Sequence, residues 1–390
     1  MEEKKRDDLI KKFLFIGIVA LLFIPMFSNR YKLFEIKPLG GSYSPAEDPK
    51  FAFENWFEGV YQDQKQNYIE ESLIFKPLFV RIYNQYYHDF YNIGRANSVV
   101  VGKSGYLYES YYIKAYLGRD FIGDKEIQAK VKKLSLVVDT LKSKGVELIV
   151  VFAPGKGSFY SEFIPEKFNL NDKTITNYEV YNEKLLKSSI HYLDFRKWFL
   201  SKKSTSKYPL FPKTGIHWSK YGEIMAADSL LRYINSISQF KKTPEFIIGE
   251  VEVSNIMRDT DDDIEKGMNL YYDIPDLEMG YPVFSIQKEK INKQPKVLTV
   301  SDSYYWGMFN WGLSKKAFNN GQFWYYNEAI YPDSYEKPIK VSDINIIDEV
   351  EKNDVVILMS TDANLYKFAF GFIDQLYAAY FPLEEPNEMQ

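Results

Sequence analysis

The chain has 390 residues, a net charge of −4, 45% apolar residues and 26% charged residues, a composition that supports a sizeable core and argues against wholesale disorder. The negative net charge argues against nucleic acid as a partner. The absence of cysteine excludes a thiol nucleophile, a cysteine zinc site and a disulfide, and the three scattered histidines, His88, His191 and His217, do not predict a histidine metal site.

The first predicted element is an apolar segment behind a basic N-terminus. Five Lys or Arg residues precede an uninterrupted apolar run from Phe13 to Phe27. This order is typical of a translocation signal whose basic end stays in the cytoplasm. No small-x-small cleavage site follows, so residues 1–30 are predicted to be a cytoplasmic tip and a signal-anchor helix, with the chain from about Tyr31 outside the cytoplasm. A cleaved signal peptide and a soluble protein with an apolar first helix are the alternatives.

Residues 31–95 are rich in aromatic and polar side chains and predict an irregular, partly helical segment next to the membrane. Residues 98–110, SVVVGKSGYLYES, predict a β-hairpin. The apolar spacing of residues 125–144 predicts a helix that ends at Gly145.

Four apolar runs with helical patterns between several of them define the fold class. They cover residues 146–154, 190–195, 296–303 and 354–361, and one of the helical patterns covers residues 219–238. Near-continuous apolar strands that alternate with helices predict an α/β domain over residues 96–390, with a parallel sheet covered by helices on both faces. Polar residues just past the strand ends should line the ligand crevice; they are Lys156, Asp194, Asp302, Ser303, Thr361 and Asp362.

The alternation is interrupted at about residues 241–295. This stretch contains the acidic run RDTDDDIEK and several Pro and Gly residues. Its spacing does not match a calcium-binding EF-hand loop. It is therefore predicted to be a solvated insertion that covers the cleft.

Ser303 and His217 are the two residues that suggest chemistry. Ser303 follows a predicted buried strand, where its hydroxyl can face the crevice and neighbouring backbone amides can stabilise an oxyanion. The candidate oxyanion donors are the amides of Ser303 and Tyr304. His217 precedes a predicted helix, from which an imidazole can act as general base towards a serine.

Five short motifs occur in an order that resembles the AlgJ/AlgX family of polysaccharide O-acetylation proteins. They are VGKSGYLYE, APGKGSFY, GIHWSKYG, VLTVSDSYYW and DVVILMSTDANLY, and together they cover roughly residues 95–375. The resemblance implies an SGNH-hydrolase-like domain in the periplasm, held to the inner membrane by a single-pass anchor. It also implies a membrane-bound O-acyltransferase as the partner that supplies the acyl group, and no cofactor in this domain.

The resemblance further implies Ser303 as nucleophile and His217, followed by Trp218, as base. Lys156 and Tyr160 are implied to help shape the site. The family pattern places an Asp two residues before the His, but this chain has Gly215 there. Asp194 or Asp362 could orient the imidazole instead, or a backbone carbonyl or water could hold it, or the domain could have lost catalysis.

Three functions remain open from the sequence. The first is an acetyltransferase that passes an acetyl group through Ser303 to a hydroxyl of an exported cell-surface polysaccharide. The second is an acetyl esterase that uses the same Ser/His pair with water as acceptor. The third is a non-catalytic module that binds glycan or docks to the acyltransferase.

Overall fold

The protein is described by a computed structural model that covers residues 2–32, 34–41, 46–237, 242–287 and 294–382. The chain forms two compact units, residues 1–97 with 265–273, and residues 98–264 with 274–390. Residues 241 and 288–293 of the predicted insertion, and residues 238–240 and 383–390 of the predicted α/β domain, lie outside the described ranges.

The first unit is helical. Its helices are α1 (Glu2–Tyr31), α2 (Phe53–Phe57), α3 (Val60–Ser72) and α4 (Lys76–Tyr91). Across the described ranges, we find no helix with the length and apolar character that a membrane crossing requires. The single-pass anchor predicted for residues 1–30 is therefore not supported. The run from Phe13 to Phe27 is shorter than the roughly 20 apolar residues that a bilayer core demands.

The second unit contains a central six-stranded sheet and two smaller two-stranded sheets. The strands are β1 (Val99–Val101), β2 (Leu107–Glu109), β3 (Glu147–Ala153), β4 (His191–Asp194), β5 (Glu245–Ser254), β6 (Met279–Gln287), β7 (Val297–Ser301), β8 (Phe323–Tyr325), β9 (Ala329–Tyr331) and β10 (Val355–Thr361). The order in the central sheet is β4-β3-β10-β7-β8-β9.

Further helices follow the first strands. They are α5 (Ser110–Tyr116), α6 (Asp124–Ser143), α7 (Lys156–Phe159), α8 (Asn177–Leu186), α9 (Phe195–Lys202), α10 (Lys220–Ile237), α11 (Asp263–Met268), α12 (Tyr305–Asn310), α13 (Leu313–Ala317), α14 (Ile346–Glu351) and α15 (Phe372–Tyr380). Several predicted boundaries are confirmed. Gly145 follows α6 with a φ of +81°, and the Ser219 hydroxyl accepts a hydrogen bond from the Gly222 amide at the start of α10.

The central sheet is mixed, whereas the sequence predicted a parallel one. The four predicted strands are β3, β4, β7 and β10, and each pairs in parallel with its neighbours. Strand β8 joins β7 in parallel, and β9 returns antiparallel to β8 at the edge. The two added strands have only three residues each, too few for a clear periodic pattern.

Both faces of the sheet are covered, as the unbroken apolar runs predict. Along β3, Leu148, Val150 and Phe152 join a core cluster with residues of α6, α8 and α15. The alternate residues Ile149 and Val151 point to the opposite face and are also fully buried. Burying one such aliphatic side chain contributes about 1.5–3 kcal/mol, so the sheet provides a rigid base for the loops at its carboxyl edge.

The acidic insertion contributes an antiparallel pair, β5 and β6, with α11 between the two strands in the sequence. The paired strands run from Glu245 opposite Gln287 to Ser254 opposite Met279. Asp263, the first residue of α11, belongs to the same unit as the central sheet.

Candidate active site

Ser303 lies in the turn between β7 and α12, at the carboxyl edge of the central sheet. The preceding residue, Asp302, is fully buried and fixes this turn. Its Oδ1 accepts a hydrogen bond from the Tyr304 amide at 3.1 Å. Its Oδ2 accepts two from Thr361, from the amide and the hydroxyl, each at 2.9 Å, and one from the Asn364 side chain at 2.9 Å. Asp302 therefore ties the Ser303 turn to the end of β10.

His217 contacts Ser303 directly. Its Nε2 lies 2.9 Å from Ser303 Oγ although 86 positions separate the two residues. The proximity expected from the sequence is therefore observed. The distance is within the range of a nucleophile paired with its general base.

The imidazole is oriented by Asp263, a residue that the sequence analysis did not select. Asp263 Oδ2 lies 2.7 Å from His217 Nδ1, and Oδ1 accepts a hydrogen bond from the Ile216 amide at 2.8 Å. Because a carboxylate only accepts, the Nδ1 proton must be on the imidazole, which leaves Nε2 to accept the Ser303 proton. Ser303, His217 and Asp263 thus form one hydrogen-bonded chain.

Because Gly215 has no side chain, the backbone of the insertion can occupy the space beside it. A Cβ at this position would lie 2.4 Å from the carbonyl oxygen of Thr260 and 2.7 Å from that of Asp261. Backbone atoms cannot yield as a flexible side chain can. The absence of a side chain at Gly215 and the arrival of a carboxylate from the insertion are therefore two parts of one packing arrangement.

The two acids proposed from the sequence as orienters have other partners. Asp194 Oδ1 accepts from the Lys197 amide at 2.8 Å, which caps α9, and its Oδ2 accepts from Tyr178 Oη at 2.7 Å. Asp362 is buried and accepts from Ser158 Oγ at 2.5 Å and from Arg196 Nε at 3.3 Å. The expectation that either acid orients His217 is wrong, because their carboxylates already satisfy these groups and Asp263 occupies Nδ1.

Lys156 stabilises the backbone of the loop that carries His217. It is fully buried, and its Nζ donates hydrogen bonds to the carbonyl oxygens of Lys213 at 2.7 Å and Gly215 at 2.6 Å. Burial lowers its pKa to about 7, despite the nearby carboxylates that favour the charged form. Tyr160 acts on the same loop, since its hydroxyl donates to the carbonyl of Phe211 at 3.2 Å.

Trp218 and Tyr304 also stabilise the loop that carries His217. The Tyr304 hydroxyl donates to the Ile216 carbonyl at 2.8 Å, and its ring centroid lies 5.0 Å from that of His217 and 5.3 Å from that of Trp218. Both side chains are almost completely buried. The Tyr304 amide is already engaged by Asp302, so its predicted part as an oxyanion donor conflicts with its hydrogen bond in this structure.

The surroundings of the His217 imidazole raise its pKa. Burial lowers the pKa of His217, but the Asp263 carboxylate outweighs this effect, with smaller contributions from Asp302 and Glu109, and the net pKa is raised above 6.5. Glu109 is itself partly desolvated, and burial raises its pKa. A raised pKa strengthens His217 as a proton acceptor.

A cleft of about 600 Å³ opens over Ser303 and His217. Its wall includes Trp306, Trp311, Asn310, Lys220, Glu223, Asp259, Thr260 and Asp261. Among the residues that the structure describes, no cluster of three or more His, Asp or Glu side chains is arranged to hold a metal ion. The contacts among Ser303, His217 and Asp263 can activate the serine hydroxyl by proton transfer beside this cleft.

Comparison with solved structures gives several distant similarities. The O-acetyltransferase domain of Pseudomonas putida AlgJ is 17% identical, with a TM-score of 0.43, over 72% of this chain and 99% of that one. Pseudomonas aeruginosa AlgX is 15% identical, with a TM-score of 0.44, over 74% and 70% of the two chains. Bacillus cereus PatB1 is 12% identical, with a TM-score of 0.38, over 64% and 93%. No curated protein matches the sequence.

A comparison with models of protein families also finds a match. Residues 99–253 match the model for the SGNH hydrolase-like domain of the acetyltransferase AlgX. This range contains the hairpin β1–β2, the first two strands of the central sheet and the loop that carries His217. The resemblance to the AlgJ/AlgX family predicted from the motifs is thereby confirmed over residues 99–253, which are similar to the SGNH hydrolase-like domain of that family.

Proposed function

We propose that this protein is an extracytoplasmic O-acetyltransferase that moves an acetyl group through Ser303 to a hydroxyl of an exported cell-surface polysaccharide. The observation that carries the proposal is the hydrogen-bonded chain from Ser303 through His217 to Asp263. The match of residues 99–253 to an acetyltransferase domain supports the same chemistry.

In the first half-reaction, Ser303 Oγ attacks the carbonyl carbon of an acetyl donor while His217 Nε2 takes the hydroxyl proton. The new carbon–oxygen bond gives a tetrahedral oxyanion. The intermediate collapses when the bond to the donor's leaving group breaks, and that group takes the proton from His217. Asp263 stabilises the transient imidazolium and keeps the ring in the required tautomer.

In the second half-reaction, a sugar hydroxyl attacks the acetyl-Ser303 ester and His217 accepts its proton. Collapse releases the acetylated sugar, and the Ser303 oxygen recovers the proton from His217. The Ser303 amide remains a candidate oxyanion donor, since it lies on the turn that Asp302 fixes.

We place the reaction outside the cytoplasm, in the periplasm, because a basic N-terminus precedes an apolar run as in export signals. The acetyl group would then be delivered by a membrane-bound O-acyltransferase partner. This route requires no nucleotide or coenzyme in the domain, because the activated donor stays on the other side of the membrane.

Hydrolysis is the second candidate function. The preformed contact of 2.9 Å between His217 and Ser303 serves water as well as a sugar hydroxyl. Transfer dominates only where the cleft excludes water from the acetyl-enzyme. The same contact disfavours a purely binding module, since binding requires no pairing of serine with imidazole.

The proposal is tested by incubating the protein with an activated acetyl ester and locating the acetyl group by mass spectrometry. We expect acetylation of Ser303 and its loss in Ser303→Ala. His217→Ala should slow labelling by orders of magnitude, since the hydroxyl then lacks its base. Acetyl-ester turnover that survives Ser303→Ala would refute the mechanism.

A further inference from the structure

The wall of the cleft beside Ser303 has more acidic than basic side chains. Apart from His217, which must be neutral to accept a proton, Lys220 is the one cation among the described residues that line this cleft. Three carboxyl groups, those of Glu223, Asp259 and Asp261, line the same space. We call these three residues the acidic rim.

Lys220 is already neutralised by the acidic rim. Its Nζ lies 3.1 Å from Glu223 Oε1 and 3.5 Å from Asp259 Oδ2. The Lys220 side chain is 16% exposed, whereas that of Asp259 is 58% exposed. The negative group is therefore the one that an entering ligand meets first.

The balance stays negative even when Asp261 is protonated. Burial raises the pKa of Asp261 to about 7, so this group is partly neutral near neutral pH. Burial raises the pKa of Glu223 as well, but Lys220 and Trp311, whose Nε1 donates to Glu223 Oε1 at 2.7 Å, favour its charged form. One lysine then faces two carboxylates, Glu223 and Asp259, before Asp261 is counted.

Two tryptophans provide an uncharged surface in the same cleft. Trp306 is half-buried and packs against Tyr331 with ring centroids 4.7 Å apart. Trp311 is half-buried, packs against Phe284 at 4.9 Å, and is fixed by its bond to Glu223. Half-buried indole rings that line a cleft offer apolar area at low entropic cost, which suits the C–H face of a pyranose.

We propose that the acetyl acceptor of this protein is a glycan without carboxylate groups, whose sugar ring packs on Trp306 or Trp311, and that polyuronates are rejected by the acidic rim. This inference rests on the proposed function and names the acceptor class for the same site. A uronate carboxylate in the cleft meets Asp259 without a free cation to pair with, and like charges at short range weaken binding.

The test measures acetyl transfer from acetyl-Ser303 to two sets of soluble oligosaccharides of equal length, neutral gluco-oligosaccharides and oligouronates. We expect transfer to the neutral set to exceed transfer to the uronates by roughly tenfold or more at low salt, where charges are least screened. The preference should shrink as the salt concentration rises. Equal or better transfer to the oligouronates would overturn the proposal.

Asp259→Asn tests the origin of the preference. Asp259 has a φ of +55°, a conformation that Asn also tolerates. We expect the uronate-to-neutral ratio to rise about fivefold, as for the loss of one unit charge near 4 Å in water. Because both sets of oligosaccharides react with the same acetyl-enzyme, a change in the acylation rate does not affect this ratio. Asp139→Asn, at an exposed position on α6, removes the same charge elsewhere and should leave the ratio unchanged.

Binding measured without chemistry separates this inference from the proposed function. Titration of Ser303→Ala with the same oligosaccharides, followed by tryptophan fluorescence, should show tighter binding of the neutral set. A lack of Ser303 acetylation would refute the acetyltransferase but leave this preference measurable. Tighter binding of oligouronates to Ser303→Ala would refute the acceptor assignment whatever the enzyme does.

Discussion

Asp263 reaches His217 across 46 positions of sequence and places its carboxylate 2.7 Å from Nδ1. The same carboxylate holds the Ile216 amide at 2.8 Å. It therefore fixes both the ring and the backbone that carries the ring. An aspartate two residues ahead of the histidine would have to share this space with the backbone of Thr260 and Asp261.

Asp263→Asn should lower acetyl-ester turnover by about 10⁴, the usual cost when an orienting carboxylate becomes an amide and the imidazole tautomer is lost. The fold should persist, because the Asn oxygen can still accept from Ile216. Turnover and the thermal unfolding midpoint, measured together, separate the two effects.

Asp194→Asn is the matched control, since Asp194 caps α9 and contacts Tyr178 rather than His217. It should retain most of the turnover. Loss of turnover in Asp194→Asn with a normal rate in Asp263→Asn would reverse the assignment of the orienting acid.

Gly215→Asp should destabilise the protein and abolish turnover. The added Cβ would come within 2.4 Å of the Thr260 carbonyl oxygen, and overpacking of this kind costs about 1–3 kcal/mol. The new carboxylate would also lie near Asp261 and Asp263. Urea unfolding gives the loss of stability, and Gly215→Ala separates the steric part from the charge.

Gly267→Ala is the control for a new methyl group in the insertion. No heavy atom lies within 4 Å of a Cβ at Gly267, and alanine favours a helix over glycine by about 1 kcal/mol. This variant should be neutral or slightly more stable. A stable, active Gly215→Asp protein would show that the insertion can move away.

The pH dependence should follow His217. Only the neutral imidazole accepts the Ser303 proton, so turnover should rise with pH through the His217 pKa and level off above it. Because that pKa is raised above 6.5, chiefly by Asp263 acting against burial, the midpoint should lie above 6.5. Asp263→Asn removes the negative charge that stabilises the imidazolium, so the pKa of His217 should fall.

NMR titration of His217 in a Ser303→Ala background measures the shift without requiring turnover. Glu109→Gln should move the His217 pKa in the same direction by less, since Glu109 is a smaller contributor. An unchanged His217 pKa in Asp263→Asn would contradict the electrostatic account.

Lys156→Met should slow turnover by misplacing the His217 loop. The substitution removes the Lys156 donor from the carbonyls of Lys213 and Gly215. The Lys213 carbonyl keeps the hydrogen bond from the Leu107 amide, whereas a buried acceptor that loses its donor, as the Gly215 carbonyl does, costs about 1–3 kcal/mol. We expect kcat to fall more than KM rises, because Lys156 lies under the loop rather than in the cleft. The exposed Lys202→Met on α9 is the control and should change neither constant.

The fold was predictable wherever the chain carries long apolar runs. Strands β3 and β10 are buried along nearly their whole length, and a run of that kind has few alternatives to a covered strand. Strand β8 and the edge strand β9 were missed because each has three residues and aromatic side chains that also suit loops. The sheet is mixed because β9 runs antiparallel to β8.

The Ser303 and His217 pair was accessible from local sequence because each residue follows or precedes a regular element. Asp263 was not, because only tertiary packing brings the insertion back to the histidine loop. Its one local signal was the acidic run at residues 258–266 just ahead of α11. That run was interpreted as solvated surface, although Asp261 in it is almost completely buried.

The separation of the imidazole and its carboxylate onto different segments has a consequence for comparing genomes. A search pattern that requires an aspartate two positions before the histidine would classify this chain as a degenerate, inactive homologue. In this chain the acid is supplied by Asp263, which lies in the insertion 46 positions after the histidine. Chains with glycine at this position should be examined for an acidic insertion downstream before catalysis is judged to have been lost.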